Sequence, residues 1–238
     1  MPSKCRVSAS LLSANFLKLG DEIRATEAAG TDSFHLDVMD NHLAPNLSYG
    51  PPVIQWIRSA TQLPLEVHLM IDNPHLFVAD YAKAGADLLF FHIECYAAEP
   101  VNPLAIREIP RATTQPDIPQ ILAVIDQIKQ LGVKAGITLN PNSPLTPALK
   151  PAILASDAVL IMSVNPGFSG QKFIADVLPK ITEMRTYYQG DIHIDGGITN
   201  ETAPLARQAG VSTLISASYL YSSADYKSAI QSLNLVSH

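Results

Sequence analysis

A chain of 238 residues that is 47% hydrophobic and 16% charged is too apolar for a disordered protein or a charge-laced coiled coil, and long enough for one large α/β domain. Sixteen Lys and Arg against 22 Asp and Glu leave a net charge of -6 with no basic run; nucleic acid is excluded as a partner, and any phosphate must be held by local backbone dipoles. Two cysteines, Cys5 and Cys95, without metal or redox spacing, no signal-peptide pattern and no apolar stretch of about 18 residues lead us to expect a soluble, cytoplasmic protein with no membrane partner.

In chain order, the first β-type run, Arg6–Leu12, precedes an amphipathic segment, Leu19–Ala29, closed by Gly30. Phe34–Met39 and Leu65–Met70 follow as strands; Asn73-Pro74 then marks a helix start, and Leu76–Ala84 ends at Gly85. Leu88–Glu94 is the fourth strand. Behind it, residues 96–120 carry five prolines and no clean period, which predicts an extended loop on the face where βα loops gather, either a lid or a surface excursion. Ile121–Leu131 is closed by Gly132 before the strand Lys134–Asn140, and Ser143-Pro144 marks another helix start. The strands Ala158–Val164, Asp191–Gly197 and Thr213–Tyr219 alternate with the helical segments Phe173–Tyr188 and Glu201–Ala209, the latter closed by Gly210. Glycine at each helix end suits the left-handed residue that returns the chain to a strand. Eight strand-type runs joined by crossover-length segments predict a single (β/α)8 barrel domain over residues 1–238. A doubly wound open sheet is the runner-up; the Gly-x-Gly-x-x-Gly turn it would carry for a dinucleotide is missing.

Period-two alternation then assigns faces. In the second strand Phe34, Leu36 and Val38 point one way and His35, Asp37 and Met39 the other; Glu66, His68 and Met70 do the same in the third, and His193 and Asp195 in the seventh. His35, Asp37, His68 and Asp195 should therefore share one lumen near the strand ends. Two imidazoles and two carboxylates suit one divalent metal ion, zinc first, with iron, cobalt or manganese acceptable. Any one histidine alone is better explained as a hydrogen-bonded interior group, but two buried carboxylates side by side call for a cation. His92 and Glu94 share the inward parity of the fourth strand, with Glu94 either bordering the pocket or purely structural. His42 and His193 stay unassigned, and His75 and His238 are taken as surface residues. Three glycine- or serine-rich turns, Gly167-Phe168-Ser169-Gly170, Gly196-Gly197 and Ser216-Ala217-Ser218, end the sixth, seventh and eighth strands, where barrels commonly cradle phosphate with backbone N–H groups.

The segments Ser10-Leu11-Leu12-Ser13-Ala14-Asn15-Phe16, His35-Leu36-Asp37-Val38-Met39-Asp40 with His42, Pro45 and Asn46, Glu66-Val67-His68-Leu69-Met70, Asn165-Pro166-Gly167-Phe168-Ser169-Gly170-Gln171 and Asp195-Gly196-Gly197 together resemble the ribulose-phosphate 3-epimerase family over nearly the whole chain. The resemblance implies a metal-dependent TIM barrel that interconverts D-ribulose 5-phosphate and D-xylulose 5-phosphate in the pentose phosphate pathway. It implies His35, Asp37, His68 and Asp195 as metal ligands, Asp37 and Asp195 as the acid/base pair, Ser10 as a substrate contact, and Met39, Met70 and Met162 as pocket lining. Inverting a carbon beside a carbonyl needs one proton removed from one face and one returned to the other, which two opposed carboxylates supply, with an enediolate stabilised by the metal between the two steps. A phosphorylated ketose is the expected ligand, a homo-oligomer the expected assembly, and no redox cofactor is needed. Three departures from the family pattern stand out: Asn41 and Ala217 replace glycines, and 96–120 replaces a shorter connection. An epimerase of a phosphorylated hexulose such as allulose 6-phosphate and a non-catalytic sugar-phosphate-binding barrel are the alternatives. A Schiff-base aldolase would want an inward lysine at a strand end, and Lys134 lies at the wrong end.

Overall fold

The computed structural model describes residues 5–97 and 111–234. Eight parallel strands, β1 (Arg6–Ser10), β2 (Ser33–Met39), β3 (Leu65–Met70), β4 (Leu88–His92), β5 (Lys134–Leu139), β6 (Ala158–Met162), β7 (Asp191–Asp195) and β8 (Thr213–Ser216), close in chain order into a barrel. Outside it lie α1 (Leu19–Ala29), α2 (Pro51–Ala60), α3 (Val78–Lys83), α4 (Ile118–Gln130), α5 (Lys150–Ala155), α6 (Leu178–Arg185), α7 (Ala203–Ala209), α8 (Ser218–Tyr221) and α9 (Tyr226–Leu233). The TIM-barrel expectation holds.

Alternation along each strand sorts the core into two layers. Phe34, Leu36 and Val38 of β2 and Val67 and Leu69 of β3 face the helices, packing with Ile23, Ile54 and Ile57. Leu88, Phe90, Leu160 and Ile215 fill the barrel itself. Gly136 of β5 makes that filling possible: a Cβ there would lie 2.3 Å from the Phe90 ring, so the large aromatic and the missing side chain are complementary.

Several boundaries differ from expectation. β1, β4, β6, β7 and β8 end two or three residues early, because the chain leaves the ladder at the barrel mouth while its apolar run continues: Leu11, Ile93 and Val164 stay buried beneath the loops rather than in the sheet. Leu19–Ala29 holds its bounds as α1, whereas Phe173–Tyr188 contracts to α6, Glu201–Ala209 to α7 and Leu76–Ala84 to α3, which a 3-10 turn, Pro74–Leu76, precedes. Asn73 precedes that turn in a left-handed conformation and offers no side-chain cap. Ser143-Pro144 does not start a helix; the next helical turn begins at Pro147, and the Ser143 hydroxyl instead donates to Glu94 Oε1 at 2.5 Å. α2, opened by Pro51 and Pro52, is a helix that the periodicity reading does not single out. The expected closing glycines do take left-handed backbone, with φ of 98° at Gly30, 106° at Gly85, 77° at Gly132 and 107° at Gly210.

Of the extended segment, residues 98–110 lie outside the described residues. Its end is already helical: Asp117 accepts the Gln120 N–H and caps α4 from Ile118 onward. Both cysteines are free thiols. Among the described residues no helix is long and apolar enough to cross a membrane.

Candidate active site

Strand register brings the chemical residues together. Asp37 pairs with His68 and Met39 with Met70 across β2 and β3, Ser10 pairs with His35 across β1 and β2, and Met162 pairs with Asp195 across β6 and β7. Because these positions share inward parity, the side chains converge at the C-terminal mouth of the strands.

His35, Asp37, His68 and Asp195 each offer a ligand atom, all within 4.8 Å of one another. His35 Nε2 lies 3.2 Å from His68 Nδ1, and Asp37 Oδ1 lies 3.3 Å from His68 Nδ1 and 3.4 Å from His35 Nε2. Two ring nitrogens and a carboxylate oxygen therefore face one point, and such electron-rich atoms repel unless something positive lies between them. A divalent cation meets that demand for all of them at once, so the donor set fits a metal of the zinc, iron, cobalt or manganese kind.

The electrostatics divide the two aspartates. Burial opposes ionisation of Asp37, but the His35 and His68 rings overcome it and hold the carboxyl well below the usual range. Burial also disfavours charge on His35, yet Asp37 and Glu66 lift it to about 10, whereas burial dominates at His68 and drops it to about 3. At Asp195, burial and the negative charge of Asp37 push the carboxyl up to about 7. Two carboxylates whose environments drive their affinities for protons apart are suited to opposite roles in proton transfer. The Ser10 hydroxyl donates to Asp37 Oδ2 at 2.6 Å, which orients that carboxylate.

Above the cluster opens a cavity of about 440 Å³. Every residue expected to contact substrate lines it: Ser10, Met39, Met70, Met162, Gly167, Phe168, Ser169, Gly170, Gly196, Gly197, Ala217 and Ser218, with Asp37 and Asp195 at its base. His35 and His68 are wholly buried and do not reach the wall. Gly197 is at φ 64°, and a Cβ there would lie 2.7 Å from the Phe173 backbone nitrogen, so glycine is required on both counts. Ala217 is at φ −114°, where a methyl carries no left-handed strain; Asn41 is left-handed at φ 63°, as its residue type tolerates.

The sequence reading overlooks Leu12, Val164, Ile198 and Ile215 on the apolar wall, and Lys172 and Glu201 among its charged lining. Lys172 could have been found, since it follows the Gly167–Gln171 motif directly. Glu94 does not border the cavity; it stands behind His92 and His68. His193 lies inside the barrel beside Phe90, 3.5 Å from Glu66, and His42 is exposed against Asp40. His75 corrects its surface assignment: it is half-buried, with Nδ1 3.0 Å from the Tyr96 hydroxyl. His238 lies outside the described residues.

A closed parallel barrel with an acid and imidazole cluster that could hold a metal ion, set beneath a glycine-lined cavity at the C-terminal mouth of the strands, has the architecture of a (β/α)8 enzyme. Comparison narrows that class. The model of the ribulose-phosphate 3 epimerase family matches residues 6–118 and 113–221. The ribulose-phosphate 3-epimerase of Bacillus subtilis (strain 168) is 40% identical over 234 residues, covering 96% of this chain and 97% of that protein. That of Methanocaldococcus jannaschii is 39% identical, covering 96% of this chain and 89% of its own. The chain belongs to the ribulose-phosphate 3-epimerase family and is an isomerase. In fold alone it is similar to 3-hexulose-6-phosphate synthase from Salmonella typhimurium, with a TM-score of 0.67 and 16% identity over 96% of both chains.

Proposed function

We propose that this protein inverts C3 of D-ribulose 5-phosphate to give D-xylulose 5-phosphate in the cytoplasmic pentose phosphate pathway. The observation that carries the reading is that the two carboxylates Asp37 and Asp195 share one metal-compatible cluster with His35 and His68 and both line the cavity base. The activity named for its relatives supports the substrate.

Asp37, ionised and oriented by Ser10, takes the proton from C3, and the electron pair of the broken C–H bond moves onto the carbonyl oxygen, giving an enediolate. Asp195, whose carboxyl burial and the charge of Asp37 bias toward the protonated form in the ion-free protein, returns one to C3 from the opposite face as the carbonyl re-forms. In the reverse direction the roles exchange. A divalent ion held by His35, Asp37, His68 and Asp195 supplies, when bound, Lewis acidity toward the negative charge developing on the substrate oxygens. Met39, Met70 and Met162 give the reacting carbon an apolar, water-poor wall. The turns at Gly167–Gly170, Gly196–Gly197 and Ala217–Ser218 offer backbone N–H groups to the phosphate, with Lys172 adding a cation in a protein otherwise negative overall.

The test is NMR of D-ribulose 5-phosphate in deuterated water with metal-replete protein. Deuterium should enter at C3 as D-xylulose 5-phosphate forms, and Asp37→Asn or Asp195→Asn should slow conversion about 10²- to 10⁴-fold. No exchange by the unaltered protein overturns the proposal, and higher kcat/KM on D-allulose 6-phosphate would move the assignment to a hexulose.

A further inference from the structure

Behind the metal-compatible cluster runs a second, wholly buried chain of titratable groups that the proposed proton transfer does not use. His68 Nε2 lies 2.8 Å from His92 Nε2, and His92 Nδ1 lies 3.2 Å from Glu94 Oε2. The other Glu94 oxygen, Oε1, accepts the Asn140 N–H at 2.8 Å and the Ser143 hydroxyl at 2.5 Å. His68 and His92 are 0% exposed and Glu94 is 2% exposed, so water does not substitute for any of these partners. The two imidazole planes are 17° apart with centroids separated by 4.9 Å. That is close to the largest separation a 2.8 Å contact between ring nitrogens permits, so the rings meet edge to edge, as a hydrogen bond requires, and not face to face.

We infer that Glu94 and His92 are positioning residues that dictate, through an ordered relay of hydrogen bonds, which nitrogen of His68 is presented bare to the metal site. A carboxylate only accepts, so His92 Nδ1 carries a hydrogen and donates it to Glu94. Neutral His92 then has a bare Nε2, which accepts the hydrogen on His68 Nε2. Neutral His68 is left with a lone pair on Nδ1; in the metal-free chain the hydrogen on His35 Nε2, 3.2 Å from that nitrogen and 3.4 Å from Asp37 Oδ1, serves both acceptors, so the 3.3 Å contact between His68 Nδ1 and Asp37 Oδ1 needs no hydrogen of its own. The usual arrangement orients a metal-binding histidine with one carboxylate or carbonyl; here the orienting charge acts through an intervening imidazole. His35 differs, with Glu66 Oε2 lying 3.6 Å from its Nδ1 and no second ring between.

The consequence for metal binding rests on the proposed metal site, but the proton arrangement can be read without any metal. Glu94→Gln keeps the shape and reverses the logic. Its single amide oxygen is claimed by the Asn140 N–H and Ser143, so its NH₂ faces His92 Nδ1. His92 must then carry its hydrogen on Nε2, and His68 must carry its own on Nδ1, blocking the ligand atom. Long-range ¹H–¹⁵N NMR of the metal-free full chain should show His68 with Nδ1 bare and Nε2 protonated, and Glu94→Gln should exchange the two. Titration with Co²⁺ alone should give a Kd weakened about 10- to 100-fold in Glu94→Gln, while Ser143→Ala, which leaves the Glu94 side chain unchanged, keeps the unaltered His68 pattern. A hydrogen on His68 Nδ1 in the unaltered protein overturns the inference, as does an unaltered Co²⁺ affinity in Glu94→Gln. If the unaltered protein takes up no Co²⁺, the metal reading fails while the NMR result still decides the relay. Should Glu94→Gln fail to fold, the His68 pattern of the unaltered protein decides alone.

Discussion

Gly197 and Gly170 form a matched pair of perturbations. Both are left-handed, at φ 64° and 78°, so alanine at either incurs about 1–2 kcal/mol of backbone strain. At Gly170 an added Cβ meets nothing within 4 Å, and the strain is the whole cost. At Gly197 the same methyl would stand 2.7 Å from the Phe173 nitrogen and 2.9 Å from its Cα. Phe173 cannot simply retreat, because the next residue, Ile174, donates its N–H to the Ser163 carbonyl at 2.8 Å. Forced overpacking of this kind adds about 1–3 kcal/mol, for a total of roughly 2–5 kcal/mol. For a chain of this size each kcal/mol lowers Tm by about 2–4 °C, so Gly170→Ala should lose roughly 2–8 °C and Gly197→Ala roughly 4–20 °C. Scanning calorimetry of the two variants side by side measures the difference. Phe173 closes the loop that carries Gly167 and Gly170, so Gly197→Ala should also raise KM for the sugar phosphate. Equal losses of Tm, or a larger loss at Gly170, would refute the assignment of the extra cost to the backbone contact.

Two further outcomes follow from the same geometry. In protein stripped of metal by a chelator, the proton on Asp195 is held to about pH 7 by burial and the charge of Asp37, whereas an unfolded aspartate ionises near pH 3.9, about its ordinary value. At this carboxyl the native state thus binds more protons between those values, a contribution that lowers stability as pH rises through them. His35, lifted to about 10 against burial by Asp37 and Glu66, contributes stability that is complete below its ordinary value of about 6.5 and lost above it. His68, dropped to about 3 by burial, acts with the opposite sign below its ordinary value of about 6.5 and offsets Asp195 there. Urea denaturation at about pH 5, 7 and 9 should therefore show little change from about 5 to 7 and a decline from about 7 to 9, with Asp195→Asn giving stability that rises from about 5 to 7 and added Zn²⁺ opposing the decline above about 7; an Asp195→Asn profile parallel to that of the unaltered protein counts against the assignment. Lys180 of α6 donates to the carbonyls of Asn140 at 3.2 Å, Pro141 at 2.5 Å and Ser143 at 2.6 Å. Lys180→Met should cost about 1.5–3 kcal/mol by urea denaturation, as loss of charged hydrogen bonds does, and a change below about 0.5 kcal/mol, typical of a surface site, would show that these bonds contribute nothing.

The faces of the strands are legible in the order of residues itself. Alternation in His35-Leu36-Asp37-Val38-Met39 separates inside from outside because side-chain parity is a property of one strand's own backbone. The glycines at 30, 85, 132 and 210 are legible for the same local reason, each closing a helix with its own φ. Residues outside the ladders are harder. Leu11 and Ile93 extend apolar runs yet lie beneath loops, and burial under a loop leaves no periodic mark. The partners of Glu94 are out of reach altogether: Asn140 and Ser143 sit on the turn after the neighbouring strand β5, more than 40 residues along the chain, and Lys180 ties that turn from a helix further along.

From the amino-acid sequence alone come the eight-unit barrel, the inward set His35, Asp37, His68 and Asp195, and the glycine-rich turns that line the cavity. Tertiary structure alone decides that these four ligand atoms gather within 4.8 Å, that Glu94 stands behind His92 and not on the cavity wall, and that Gly197 has no room for a methyl. The division has one physical cause: parity and chain-reversing turns are set by the nearest neighbours along the backbone, whereas distances between strands depend on register and barrel closure, which arise only when residues far apart in the chain pair.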